Sequence, residues 1–146
     1  MAAMDKVLLD TDILSEILKA RDAIVVTRAA TYRKSYDSFT ISVVAIMEIT
    51  KGFHKTGETN ALNRFIQAIT GSEVLVFDQA SAEIAGRLFA DLELAGRPIG
   101  RADIIVASIA LRHNLPLATG NTRHFQFIQE VGHNLKLENW REATMT

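Results

Sequence analysis

Apolar and polar positions follow two patterns along the chain, and the two patterns alternate. Short, mostly apolar runs occur at residues 7–9, 39–42, 74–77, 117–119 and 135–137, and each predicts a strand. Longer segments between them carry apolar residues at helical spacing. The pattern therefore predicts an α/β fold, a three-layer α/β/α sandwich with right-handed crossovers around a central, mainly parallel sheet of four to five strands.

Several of these elements have further sequence signals. The runs at 7–9 and 74–77 are apolar throughout, so we expect both strands to be buried. Ser42 is a suitable N-cap for the helix that follows the second strand. The segment 102–111 is apolar or small except at one aspartate, which predicts a buried helix. Helices are predicted after residue 10, at 22–35, from 43, at 59–70, 78–95 and 102–111, with a short helical turn after residue 120.

Composition limits the class of protein. The chain has 146 residues, of which 48% are hydrophobic and 23% charged, so we expect one soluble globular domain over residues 1–146. No apolar run is long enough to cross a membrane and no signal-peptide pattern is present, which predicts a cytoplasmic protein without membrane contact. The absence of cysteine excludes disulfides, thiolate metal sites and thiol nucleophiles. The net charge of −1 means that nucleic-acid binding would require a local basic patch.

An aspartate lies at the boundary between the first predicted strand and the helix that follows it. Asp10 follows the apolar residues 7–9 directly, and Ile13 and Leu14 begin the stripe of the next helix. In open parallel sheets, the carboxyl edge of the strands is where ligands bind. The alternative is that Asp10 starts a turn and Asp12 caps the helix.

Two further acids lie in apolar surroundings. Glu48 is the only charged residue between Phe39 and Thr50, and a buried acid there needs a partner, a proton or a cation. Asp103 falls in the first turn of the buried helix, where the helix dipole favours an anion. The alternatives are that Glu48 lies on an exposed stripe and that Asp103 only caps its helix.

The topology brings these acids towards one edge of the sheet. Asp10 ends the first strand, Asp103 begins a helix, and residues 119–121 end the fourth strand, so all of them lie along the carboxyl edge of the sheet. Glu48 reaches that edge if the side of its helix that carries it faces the sheet. Converging carboxylates repel unless a cation lies among them. Oxygen ligands without cysteine or suitably spaced histidines favour Mg2+ or Mn2+ over zinc. Such a metal ion can activate a water molecule, which then attacks a phosphodiester.

Four motifs in order resemble those of a known family. The chain is similar to PIN-domain ribonucleases, and more narrowly to the VapC toxins of bacterial toxin–antitoxin pairs, over nearly its whole length. The motifs are residues 9–14 (LDTDIL), 47–49 (MEI), 97–103 (RPIGRAD) with 105–107 (IVA), and 118–125 (ATGNTRHF).

The resemblance implies a PIN-like fold and Mg2+- or Mn2+-dependent endoribonuclease activity. It implies Asp10, Glu48 and Asp103 as catalytic acids that hold the metal, Glu48 either directly or through water. It also implies a homodimer and inhibition by a cognate VapB-like antitoxin. The RNA substrate would be a tRNA or a ribosomal RNA, because relatives of both kinds exist within the family.

One position departs from the commonest family pattern. Asn121 stands where many PIN domains carry a fourth acid, and its neutral oxygen can hold a metal or a metal-bound water less strongly. Asp12 either supplies the missing charge or only caps its helix. Thr11 and Thr119 are placed to donate hydrogen bonds to the acids and so to support the metal site from behind.

Basic residues near the expected cleft are candidates for binding RNA phosphates. A nuclease must offset the field of its own acids, so a few of these residues should contact the RNA backbone. We expect this role first for Arg101, two residues before Asp103. The other candidates are Lys51, Arg97, Arg123 and His124.

Three other functions fit parts of the pattern. A strand that ends in Asp-x-Asp is also the nucleophile motif of haloacid-dehalogenase phosphatases, but the fourth strand here ends in Thr-Gly-Asn instead of an acidic motif. A structure-specific DNA nuclease would need larger insertions. A degenerate PIN module that binds RNA or a protein partner without cleaving is the main alternative, because of Asn121.

Overall fold

Five short parallel strands form one sheet at the centre of the protein. The computed structural model describes residues 4–143. The strands are β1 (Leu8–Leu9), β2 (Thr40–Ser42), β3 (Glu73–Leu75), β4 (Leu117–Ala118) and β5 (Leu137–Glu138). They are all parallel, in the order β3-β2-β1-β4-β5. The sheet thus has β1 in the middle, between β2 and β4, and the predicted parallel architecture is confirmed.

Seven α-helices connect or follow these strands within the described residues. Ser42 accepts a hydrogen bond from the Ala45 backbone N–H and caps its helix as predicted. Asp78 caps the next long helix in the same way, through the Ser81 backbone N–H. The helices are α1 (Thr11–Lys19), α2 (Ala23–Ser35), α3 (Val43–Lys55), α4 (Thr59–Ala68), α5 (Gln79–Leu94), α6 (Arg101–Arg112) and α7 (Thr122–Glu130), with one 3-10 turn at Ile69–Gly71.

Separate hydrophobic clusters cover the two faces of the sheet. Alternate residues of the first strand point to opposite faces, so Leu8 joins residues of α5, α6 and α7, whereas Val7 and Leu9 join residues of α1 and α2. Trp140 closes the second cluster and is fully buried. The sheet therefore lies between two helical layers, which is the predicted sandwich.

The third strand differs from its prediction. The apolar run at 74–77 predicts a buried strand, but β3 is an edge strand and is shifted to Glu73–Leu75. Val76 is 57% exposed and Phe77 40%. A short apolar run predicts a strand whether or not a second helical layer covers it, so the prediction of burial was wrong here. The helical turn predicted after residue 120 is also longer, because α7 continues to Glu130.

None of the helices within residues 4–143 combines the length and the hydropathy that a membrane span requires.

Candidate active site

Asp10 lies buried at the carboxyl edge of the sheet, between β1 and β4. Its backbone N–H donates to the Ala118 carbonyl at 2.9 Å, which continues the strand pairing past Leu9. Its carboxylate accepts two hydrogen bonds of 2.9 Å, one from the Thr119 hydroxyl and one from the Thr11 backbone N–H. The residue is only 7% exposed. These contacts fix both carboxylate oxygens at the start of α1.

The environment of Asp10 disfavours its charge. Burial is the main cause that raises the pKa of the carboxyl, and the nearby charge of Asp12 raises it further; the Thr119 and Thr11 hydrogen bonds act in the opposite direction. The negative field of Asp103 adds to the rise. The resulting pKa is about 7. A cation would relieve this unfavourable charge.

Asp12 links the first helix to the loop after β4. One carboxylate oxygen accepts from the Ile13 backbone N–H at 2.8 Å, and the other accepts from the Gly120 backbone N–H at 2.9 Å. Burial raises the pKa of Asp12. The N-cap position that was considered for Asp12 is occupied by Asp10 instead, and Asp12 lies in the first turn. Asp12 therefore belongs to the same group of acids.

Glu48 reaches this edge from α3. The Thr11 hydroxyl donates to Oε1 of Glu48 at 2.6 Å, so one threonine joins α1 to the glutamate across 37 positions of sequence. Glu48 is half-buried. The inward-facing orientation of Glu48 is thus the one that the structure adopts, and the exposed-stripe alternative does not apply.

Asp103 completes the group from the first turn of α6. Burial raises the pKa of its carboxyl, and the negative charges of Glu48 and Asp12 raise it as well. His124 lowers that pKa, since its Nδ1 lies 3.5 Å from Oδ2 of Asp103. The four carboxylates therefore share one electrostatic neighbourhood, and we call them the acid cluster: Asp10, Asp12, Glu48 and Asp103.

The donor set of the acid cluster fits a hydrated hard cation. In residues 4–143, no three histidine, aspartate or glutamate side chains are arranged to coordinate one ion by themselves. Magnesium commonly keeps several waters and binds only one or two carboxylates directly. The raised pKa values of Asp10, Asp12 and Asp103 give an independent reason for a cation, because they report like charges crowded in a poorly solvated place.

Comparisons with known proteins agree with this architecture. The profile of the PIN domain matches residues 7–130, which is most of the chain. This chain belongs to the PIN-domain family. The prediction made from the four sequence motifs is thereby confirmed.

Named relatives of this PIN domain are VapC proteins. The tRNA(fMet)-specific endonuclease VapC of Shigella flexneri is 33% identical over 94% of this chain and 99% of its own length. The structure of DNA-bound VapBC from Salmonella typhimurium superposes with a TM-score of 0.80, at 27% identity, covering 94% of this chain and 99% of the other. VapBC2 from Rickettsia felis gives a TM-score of 0.75, at 26% identity, covering 91% and 97%.

Of the five basic residues predicted to bind RNA, His124 contacts the acid cluster through Asp103, and the other four form no ion pair with it in residues 4–143. The guanidinium of Arg97 lies 4.9 Å from the centre of the Phe127 ring and 3.9 Å from a carboxylate oxygen of Glu130. Lys51, Arg101 and Arg123 are exposed. Within residues 4–143, none of these four forms an ion pair with the acid cluster, so their role in RNA binding stays a prediction.

Two residues make contacts with the acid cluster that the sequence did not predict. Arg141 was not among the candidates, yet it lies 3.7 Å from Oδ2 of Asp12. His124 was considered only as a basic residue, but its Nδ1 lies 3.1 Å from the Asn121 amide nitrogen and 3.5 Å from Oδ2 of Asp103, so it can pair with one of these two groups at a time. The contact of Arg141 has no local sequence signal, because Arg141 lies far from Asp12 in the sequence.

Proposed function

We propose that this PIN domain is a metal-dependent endoribonuclease that acts as the toxin of a toxin–antitoxin pair. The observation that carries the proposal is the buried carboxylate of Asp10, with a pKa of about 7, in the field of Asp12 and Asp103. Such a cluster suits a divalent cation at the edge of the sheet. The similarity to VapC ribonucleases supports RNA as the substrate.

The residues present fit a Mg2+ or Mn2+ ion. Asp10 and Asp103 would hold it directly, Glu48 through water, and Asn121 directly or through water. When bound, the cation supplies an activated water and neutralises charge that develops on the scissile phosphate.

Side chains around the acid cluster hold these metal ligands in position. The Thr119 hydroxyl donates to Asp10 and at the same time accepts from the Asn121 backbone N–H at 3.0 Å, which couples the ligand to the loop after β4. Thr11 holds Glu48. The amino terminus of α6 favours the charged form of Asp103 through its dipole. Asp10 and Glu48 are thus held in place by hydrogen bonds independently of any ion, as an effective metal site requires.

The partners of the proposed toxin follow from its relatives. We propose that a VapB-like antitoxin binds and inhibits it, because its structural relatives are VapBC complexes. The proposed substrate is a structured RNA, either a tRNA, as the name of the Shigella relative indicates for that protein, or a ribosomal RNA. We also propose a cytoplasmic homodimer, built from one PIN domain per chain.

Metal binding and RNA cleavage test this function together. The purified protein should cleave RNA at discrete positions in Mg2+ or Mn2+ and should stop in EDTA. Asp103→Asn should weaken Mn2+ binding, measured by calorimetry, by about tenfold or more, because one carboxylate ligand becomes a neutral amide. A protein that binds RNA tightly but cleaves none in either metal would instead support the degenerate PIN module.

Replacing a supporting threonine should have a smaller effect. Thr11→Val removes the hydroxyl that donates to Glu48 but preserves the shape of the side chain. We expect RNA cleavage to fall by about 10-fold to 100-fold, the range typical for the loss of a group that orients a metal ligand. Initial cleavage rates measure this effect, and Thr11→Ser, which retains the hydroxyl, is the matched control. Equal cleavage rates for the valine and serine variants would contradict the proposed role of the Thr11 hydroxyl.

A further inference from the structure

Arg141 approaches the acid cluster from the end of the chain. It directly follows Trp140, whose buried ring anchors the segment after β5. One guanidinium nitrogen lies 3.7 Å from Oδ2 of Asp12 and 3.8 Å from Oε1 of Glu16. The first helix and the C-terminal segment thus meet beside the proposed metal site.

The ion pairs of Arg141 leave its guanidinium available. Both distances exceed the usual length of a charge-assisted hydrogen bond, and the side chain is 44% exposed. A guanidinium carries five N–H donors in a planar fork, and that fork matches the geometry of a phosphate. Asp12 and Glu16 therefore hold the positive charge of Arg141 in place, while the N–H donors of its guanidinium stay available.

The packing at Gly120 makes room for this arginine. A methyl group added at Gly120 would lie 2.5 Å from Nε and 2.6 Å from Cδ of Arg141, and 2.9 Å from Oδ2 of Asp12. A methyl added at any of the other seven glycines meets no heavy atom within 4 Å. The stem of Arg141 thus lies against the backbone of the loop after β4, where no other residue type would fit without displacing it.

We propose that Arg141 binds an RNA backbone phosphate beside the acid cluster and so positions the substrate. This inference rests on the proposed endoribonuclease function. The acid cluster repels the RNA backbone, and a guanidinium at its rim offsets that field at the place where the substrate must approach. The lysine and the arginines that sequence patterns suggested for this role make no ion pair with the cluster within residues 4–143, whereas Arg141 does.

RNA binding by the full chain provides the test. The measurement uses Asp103→Asn in EDTA, which removes the ion on which the proposed cleavage depends, and the affinity for a single-stranded RNA oligonucleotide is measured by fluorescence anisotropy from low to high salt. Adding Arg141→Ala should weaken binding by roughly tenfold and reduce the slope of log affinity against log salt by about 0.7, the value for one phosphate contact on a single strand. Arg141→Lys should restore the slope but only part of the affinity, because lysine keeps the charge and loses the fork.

Two further variants separate phosphate binding from a structural role. Arg21→Ala is the matched control, because Arg21 is also exposed but lies beyond the opposite end of α1; its slope should equal that of the parent. Gly120→Ala should weaken RNA binding in the same direction as Arg141→Ala, because its methyl group would displace the Arg141 side chain while also crowding Oδ2 of Asp12.

The outcomes distinguish this inference from the proposed function. An unchanged salt slope for Arg141→Ala overturns the phosphate contact, even if thermal stability falls. The same result together with metal-dependent cleavage by the wild-type protein leaves the nuclease function standing. Absence of cleavage by the wild-type protein in Mg2+ and Mn2+ overturns the proposed function itself, and the substrate-positioning role with it.

Discussion

Asp10→Asn is expected to lower RNA cleavage by roughly 10²-fold to 10³-fold or more, because it removes the central charge of the site. The substitution should leave the fold intact. An asparagine amide can accept from the Thr11 backbone N–H with its oxygen and donate to the Thr119 oxygen with its nitrogen, so it keeps a hydrogen bond to each partner, although the Thr119 O–H loses Asp10 as its acceptor. Cleavage rates at saturating Mg2+, with circular dichroism as the folding control, measure this effect.

The same variant should be more stable than the parent in metal-free buffer above pH 7. Folding raises the pKa of Asp10 from 3.8 to about 7, so the folded state holds this proton more tightly than the unfolded chain. The parent therefore loses stability as the pH rises from about 4 to 7, and the loss is complete above pH 7. At 1.36 kcal/mol per pKa unit it amounts to at most about 4 kcal/mol.

Urea unfolding in EDTA at pH 4 and pH 8 tests this dependence. Asp10→Asn should match the parent at the lower pH, where Asp10 is largely protonated, and should exceed it at the higher pH. Asp37→Asn, at an exposed position, is the control and should show no such difference. If the parent protein became more stable relative to Asp10→Asn as the pH rises, this result would contradict the assignment of Asp10 as a buried carboxylate whose charge destabilises the folded state.

Trp140→Ala should destabilise the protein by about 3–5 kcal/mol, as expected for a large side chain removed from a packed core. The ring is fully buried and lies 5.5 Å from the ring of Tyr32, in the cluster on the α1 and α2 face of the sheet. Its loss would leave a cavity there and release the segment that carries Arg141.

Chemical unfolding followed by circular dichroism measures this loss. Fluorescence is unsuitable because Trp140 is the only tryptophan of the chain. Trp140→Phe should cost clearly less, since phenylalanine fills most of the space. If the alanine variant unfolded within about 1 kcal/mol of the parent, Trp140 could not be the anchor of the C-terminal segment.

Much of the fold was predictable because its signals are local. The apolar run that ends at Asp10 predicted the central strand, and Ser42 predicted the start of α3; both are confirmed. The apolar surroundings of Asp103 predicted a buried helix, and six consecutive or nearly consecutive residues of α6 are buried. These patterns depend on the chemistry of neighbouring residues alone.

The features that could not be predicted depend on contacts between distant parts of the chain. Whether Val76 is covered depends on which helices pack over the edge of the sheet, and its own pattern does not record that. The hydrogen bond from Thr11 to Glu48 and the approach of Arg141 to Asp12 join residues far apart in sequence. Folding brings such pairs together through the packing of whole helices and strands.

The parallel sheet also affects when the acid cluster can form during synthesis of the chain. Asp10 accepts from Thr119, 109 positions later, and β1 gains its second neighbour only when β4 has formed. A nascent chain that still lacks residue 119 therefore has the early acids but neither that hydroxyl nor the strand that buries them. Until residue 119 has been added, the growing polypeptide cannot complete the site that we propose cuts RNA.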